Sequence, residues 1–150
     1  MITKNDFDNP FLLDLGKHHS KKLAVHVKHG DESFCMTVDE EFYDELCPLP
    51  EGYVYDYHSA IRLKMRNVEP HTDFPVNPIP ENSEYVGSVF CPLNTNHPFI
   101  HLQVGEKCIK LGKGHWVMFD DRVLHSVIAE KVWSGVAVQV FRKHNAIRPL

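Results

Sequence analysis

The second half of the chain alternates apolar and polar positions almost without interruption. The segments YVGSVFCPL (85 to 93), PFIHLQV (98 to 104), KCIKL (107 to 111), HWVMF (115 to 119), LHSVIA (124 to 129) and GVAVQVF (135 to 141) each read as a short strand, with glycines or acidic pairs between them. Strands at about 8 to 12 residue spacing predict an antiparallel sandwich or barrel. There is no strand–helix–strand alternation, no GxGxxG and no phosphate-binding loop.

The first half is more varied. In KKLAVHVKHG (21 to 30), Leu23, Val25 and Val27 share one side of a period-two pattern that ESFCMTV (32 to 38) resumes, so Gly30-Asp31 is expected to turn a β-hairpin. DEEFYDEL (39 to 46) places acidic residues at a helix start and sets Phe42 and Leu46 four apart, which predicts a short surface helix ended by CPLP. SAIRLKMRNV (59 to 68) alternates Ile61, Leu63 and Met65 with Arg62, Lys64 and Arg66, a strand with one apolar and one basic face. Prolines at 70, 75, 78 and 80 then exclude regular helix or central strand, leaving His71 and Asp73 at a strand end or on a loop. The first twenty residues and the tail from His144 are expected to be edge packing or loose ends.

Length and composition narrow the class. A chain of 150 residues without a linker or repeat predicts a single domain over 1–150. The net charge of -4 arises from interspersed residues of both signs, so neither nucleic acid nor a membrane surface is an expected partner. Cys35, Cys47, Cys91 and Cys108 show no CxxC spacing, and no export-type leader or membrane-length apolar run is evident. The expectation is a cytoplasmic protein with reduced thiols.

Eleven histidines make chance pairs common. Among the histidines followed two residues later by a carboxylate, however, only His71, with Asp73, lies inside a proline-rich loop after a strand. In an extended segment, positions i and i+2 point the same way, so both side chains can reach one ion. His125, opening the strand after FDDRVLHSV, can supply a third ligand from a neighbouring strand. Two histidines and one carboxylate leave coordination positions open, the arrangement of non-heme Fe(II) oxygenases. Other candidates carry less: His97, His101 and the pair His18-His19 read as structural or solvated. Trp116 and Trp133 read as core or rim, and Asp120 and Asp121 as makers of turn hydrogen bonds.

The order HTD (71 to 73), FCPLNTN (90 to 96), FIHLQVGEKCIKLGKGHWVMFDD (99 to 121) and LHSV (124 to 127) resembles the Fe(II)/2-oxoglutarate-dependent dioxygenases, nearest the aspartyl/asparaginyl β-hydroxylase and proline hydroxylase family. The resemblance covers about His71 to Phe141, roughly half the chain. It implies an all-β double-stranded β-helix, or jelly-roll, here with one or two short N-terminal helices. It also implies iron held by His71, Asp73 and His125, and hydroxylation of a C–H bond in an amino acid, peptide or protein side chain. The chain departs from the family at the cosubstrate anchor. The arginine expected early in the last strand falls at Ser134 or Gly135, and a second expected arginine falls at Ser88. Lys64 or Arg62 is the expected replacement ahead of Lys107 or Lys110, provided the basic face of that strand, and not Ile61, Leu63 and Met65, points into the barrel. Arg142 lies too late in the last strand. Two alternatives stay open: a non-catalytic jelly-roll binding or structural module, and a cupin-like metalloenzyme that uses no keto acid.

Overall fold

The computed structural model describes residues 12–28, 35–95 and 98–144. Two antiparallel sheets face each other. The larger is built on two long strands, β6 (Ser83–Thr95) and β11 (Trp133–Lys143), paired from Trp133 opposite Thr95 to Lys143 opposite Ser83. Beyond β6 come β9 (His115–Phe119) and β1 (Leu12–Lys17); beyond β11 come β4 (Ile61–Met65) and β2 (Met36–Thr37), with β3 (Tyr53–Tyr55) also on β11. The smaller sheet runs β5 (Val68–His71), β10 (His125–Ile128), β7 (Ile100–Val104), β8 (Lys107–Leu111).

Strand alternation divides the apolar residues between two cores. Between the sheets lie Phe90, Ile100, Leu102, Val104, Leu111, Val117, Phe119, Val127 and Trp133, with Leu63 and Met65 packed against them. The opposite face of the large sheet, including Val89, Cys91, Trp116, Val136 and Val138, is covered by helix α1 (Lys21–Lys28) and the following segments. Both tryptophans are core residues, 0% and 1% exposed, and each indole donates to a backbone carbonyl, Trp116 to His18 and Trp133 to Arg66.

The six strands expected in the second half all form, some shifted by a residue or two at their ends. The expected hairpin does not: residues 21–28 are α-helical, and its Gly30-Asp31 turn lies outside the described residues. The buried set is Leu23, Ala24 and Val27, a helical spacing, while Val25 is 47% exposed. Ser20 caps the helix, its Oγ accepting from the Leu23 amide at 3.1 Å and donating to Glu45 at 2.9 Å. Apolar matter at 23, 25 and 27 suits a strand, and the seryl cap with tertiary burial of position 24 decides for the helix. The acidic segment forms a 3-10 turn, Glu40–Glu45, with Phe42 stacked on His26 at 4.1 Å. All four cysteines are free thiols. Among the described residues no helix is long and apolar enough to cross a membrane.

The helical assignment separates two neighbouring substitutions. Leu23→Ala should lower the unfolding free energy by about 2–5 kcal/mol, whereas Val25→Ala on the exposed side should change it by less than about 0.5 kcal/mol. Urea unfolding of both variants checks this; comparable losses would favour the strand pattern.

Candidate metal centre

β10 pairs with β5 so that His125 lies opposite His71. The register shifts between His125 and Val127, so the pairing is irregular just where the site begins. Val127 belongs to the core between the sheets, so His125, two residues earlier, faces the same way. The ring of His125 meets Phe119 edge-on at 5.0 Å, and the two histidine rings are 4.2 Å apart. Beyond His71 the chain leaves the sheet, and the Asp73 amide donates to the Asp121 carbonyl at 2.8 Å, which turns the Asp73 side chain back toward both rings. Its Oδ2 lies 3.1 Å from Nε2 of His125 and 3.4 Å from Nε2 of His71. One ligand atom from each residue falls within 4.8 Å of the others.

Both rings are oriented in the same manner. Nδ1 of His71 lies 2.7 Å from the Glu69 carbonyl, and Nδ1 of His125 lies 2.8 Å from that of Val123. A carbonyl can only accept, so each Nδ1 carries the hydrogen and each Nε2 turns toward Asp73. Backbone does what a carboxylate does in many metal sites.

The donor set fits a divalent transition metal. Neighbouring ligands about 2.1 Å from an octahedral ion stand about 3 Å apart, close to the separations between the Asp73 oxygen and the two nitrogens. Two imidazoles and one carboxylate suit Fe(II), with Mn, Ni or Zn as surrogates. The hydrogen bond from His125, with the charges of both histidines, holds the Asp73 carboxyl below its ordinary range against a smaller desolvation effect. Burial alone would lower the His125 pKa, but the Asp73 contact and the Val123 carbonyl outweigh it and the net shift is upward.

Behind the triad stands a second carboxylate that sequence reasoning had assigned elsewhere. Asp120 makes the expected turn bonds, to the Arg122 amide and guanidinium. Asp121 does not: it is 1% exposed and accepts from the Tyr85 hydroxyl at 2.6 Å and the Ser88 hydroxyl at 2.6 Å. Desolvation is the larger influence on it and raises its pKa. Only position parity from buried Phe119 distinguishes Asp121 from Asp120 in the sequence. Gln139 is a further unanticipated support, its side chain bonding the Phe74 carbonyl and the Val76 amide at 2.8 and 2.9 Å and so fixing the loop after Asp73.

The expected cosubstrate anchor is not where the strand of Arg62 and Lys64 was to place it. Leu63 and Met65 fill the inter-sheet core, so Arg62 and Lys64 project from the opposite face of the large sheet. Arg62 donates there to the carbonyls of Thr37 and His26. Lys64 pairs in register with Ser134, whose hydroxyl bonds Asn94, which in turn bonds the Ala24 carbonyl of α1. An arginine at Ser134 would therefore face the helix. At Gly135 no side chain fits: a Cβ would lie 2.2 Å from the Cys91 carbonyl oxygen. Ser88, the other position expected to be arginine, is the partner of Asp121. Arg142 pairs with Glu84.

Lys107 stands differently. Val104 is opposite His125 on one side and opposite Lys107 on the other, so the three residues form one row across the small sheet. Ile109 and Leu111 pack toward the core, which puts Lys107 on the face of the triad. Lys110 lies on the outer face over the Phe99 ring. His101 is also on that side, edge-on to Phe99, and His97 lies outside the described residues.

Two facing antiparallel sheets match a known architecture over nearly the whole chain. AviO1 from Streptomyces viridochromogenes Tue57 aligns with 97% of this chain and 96% of its own, at a TM-score of 0.52 and 10% identity. The chain is a jelly-roll. Weaker overlaps are with a cupin-2 domain containing protein from Shewanella frigidimarina NCIMB 400 (TM-score 0.42, 11% identity, 74% of this chain and 83% of that one) and with hydroxypropylphosphonic acid epoxidase from S. wedmorenis (TM-score 0.32, 21% identity, 59% and 51%). No family model matches the chain, and no curated protein matches it. At these identities the likeness to AviO1 is one of fold.

The geometry leads to a prediction of metal binding. The jelly-roll should take up one equivalent of Fe(II) or Mn(II), and His71→Ala, Asp73→Ala or His125→Ala should each weaken it by more than about 100-fold. His125 must lose its proton to ligate. Affinity should therefore fall about tenfold per pH unit below its raised pKa and level off above it. Calorimetry in buffers of different ionisation enthalpy measures both affinity and protons released. Wild-type affinity in a variant lacking either histidine would exclude the triad.

Proposed function

We propose that the protein is an Fe(II)- and 2-oxoglutarate-dependent oxygenase that hydroxylates a C–H bond of an amino acid, peptide or protein side chain. The observation that carries this reading is the convergence of His71, Asp73 and His125 on one point at the jelly-roll mouth. Iron held there would supply redox chemistry toward O2 that side chains lack. The chain's own share is geometric and electrostatic. The Glu69 and Val123 carbonyls fix the imidazole tautomers, the Asp121 carbonyl sets the Asp73 backbone, and the site rests on the buried core to which Phe119, Val127 and Val104 belong. Phe74 and Leu124, adjacent in sequence to the ligands, are 71% and 55% exposed and offer an apolar rim to substrate.

Lys107 is the cation assigned here to the distal carboxylate of the keto acid, in place of Lys64 or Arg62. Two strand spacings separate its backbone from that of His125, about 10 Å, a span that a five-carbon dicarboxylate and a lysine stem can cover together. A metalloenzyme that uses no keto acid is the second reading. It is favoured by the inward positions of β11, where Trp133, Gly135, Ala137 and Gln139 include no cation.

Purified protein with Fe(II), ascorbate and 2-oxoglutarate should form succinate slowly even without its prime substrate. His71→Ala or Asp73→Ala should abolish this, and combining them should add nothing. Lys107→Ala should raise the 2-oxoglutarate requirement by about tenfold or more, the loss of one charge-assisted contact, and Lys64→Ala should leave it unchanged. Absence of both succinate and calorimetric 2-oxoglutarate binding in iron-loaded protein would decide for the second reading.

A further inference from the structure

Lys64 belongs to a different place in the molecule. At the end of β4 it borders a hollow of about 730 Å³, together with Arg66, Lys28 at the end of α1 and Lys113 in the turn before β9. Among the described residues no aspartate or glutamate lines the hollow. Lys28, Lys64 and Lys113 make no ion pair with any described carboxylate, and the Arg66 Nε is taken up by the Ala129 carbonyl. Four cations from three separate segments thus converge in a chain whose net charge is -4. Their mutual repulsion is relieved by any anion that enters. Two polar side chains complete the wall: Asn94 bridges the Ala24 carbonyl and the Ser134 hydroxyl, and Ser134 is 3% exposed.

We propose that this hollow binds a small polyanion, a molecule carrying two or more phosphate or carboxylate groups. Lysine ammonium groups on flexible stems suit such ligands, because a compact point charge accepts an oxyanion from several directions. The C-terminal pole of α1 opposes an anion, and Lys28 at that pole offsets it. The site is separate from the metal centre. β10 runs from His125 at one end of the small sheet toward Ala129, whose carbonyl Arg66 engages, so the hollow lies beyond the opposite end of that strand. A consequence for the oxygenase reading is that metal-independent binding of a dicarboxylate here would be distinct from binding at the triad.

The test uses metal-stripped full-length protein, with inorganic pyrophosphate and citrate as probes, followed by calorimetry and amide shift mapping at low ionic strength. One saturable site is expected, with shifts at residues 64–66, 94 and 133–134. Lys64→Ala/Lys113→Ala should weaken binding by about tenfold or more. Lys21→Ala/Lys22→Ala, which removes the same charge from exposed positions of α1, should change it by less than about twofold, and His71→Ala should leave it unchanged. The tighter probe identifies phosphate or carboxylate as the preferred group. Equal losses in the two double variants would reduce the effect to diffuse charge, and no saturable binding of either probe below about 10 mM would overturn the proposal. Unfolding midpoints of the variants confirm that the comparison is made on folded protein.

Discussion

The site exists because β10 and β5 pair antiparallel with His125 opposite His71. Without that register the two imidazoles would have no reason to meet, since four strands, two from each sheet, separate them in sequence. The pairing also explains why Asp73 need not be on a strand. Once His71 is fixed by the ladder, a single backbone bond from the Asp73 amide to the Asp121 carbonyl is enough to return its carboxylate to the rings. The carbonyl of Asp121 and the carboxylate of the same residue act on different sides of the site. One sets the ligand loop, and the other ties the turn to Tyr85 and Ser88 in the large sheet. The triad is therefore anchored to both layers.

The second constraint is parity. In a two-layer β-fold every strand residue faces either the inter-sheet core or the outside, and a shift of one position reverses the assignment. This sorts the cations of the chain into two groups with different uses. Arg62, Lys64 and Arg66 fall outside because Leu63 and Met65 are needed inside, while Lys107 falls inside because Ile109 and Leu111 share its parity. Asp120 and Asp121 are divided by the same rule, one solvated and paired with Arg122, the other buried beneath the ligand loop.

Much of this was legible in the sequence where a pattern was long or chemically unusual. The strands of the second half announce themselves by alternation, and His71-x-Asp73 with a later histidine on a strand points to the ligands. What was not legible depended on contacts between distant segments. Lys21–Lys28 carries apolar residues at positions that serve a strand equally well, and the helix is selected by the Ser20 cap and by Ala24 and Val27 packing on the large sheet. The inward face of β4 could be stated only as a condition, because local alternation does not say which of its two faces meets the other sheet. Asp121 was misassigned for the same reason: adjacent carboxylates in a turn look alike until one of them finds Tyr85.

Gly135 shows why an anchor on the last strand is closed to this chain. The register of β11 against β6 shifts between Ser134 and Gly135, and this bulge brings the Gly135 α-carbon against the Cys91 carbonyl so closely that no Cβ fits. The neighbouring inward positions are held by Trp133, locked to the Arg66 carbonyl, and by Ala137 in the core. Introducing an arginine there would require moving β11 away from β6, the longest pairing among the described strands. In the proposed oxygenase the cation for an anionic cosubstrate would instead come from the small sheet, where the row from His125 through Val104 ends at Lys107. A lysine in that place differs in kind from an arginine on β11. Its single ammonium on a flexible stem offers charge without a fixed two-pronged geometry, so it discriminates less sharply among dicarboxylates of different length. Selectivity in such a site would rest more on the rigid metal end, where Asp73 and both histidines are held by backbone, than on the lysine end.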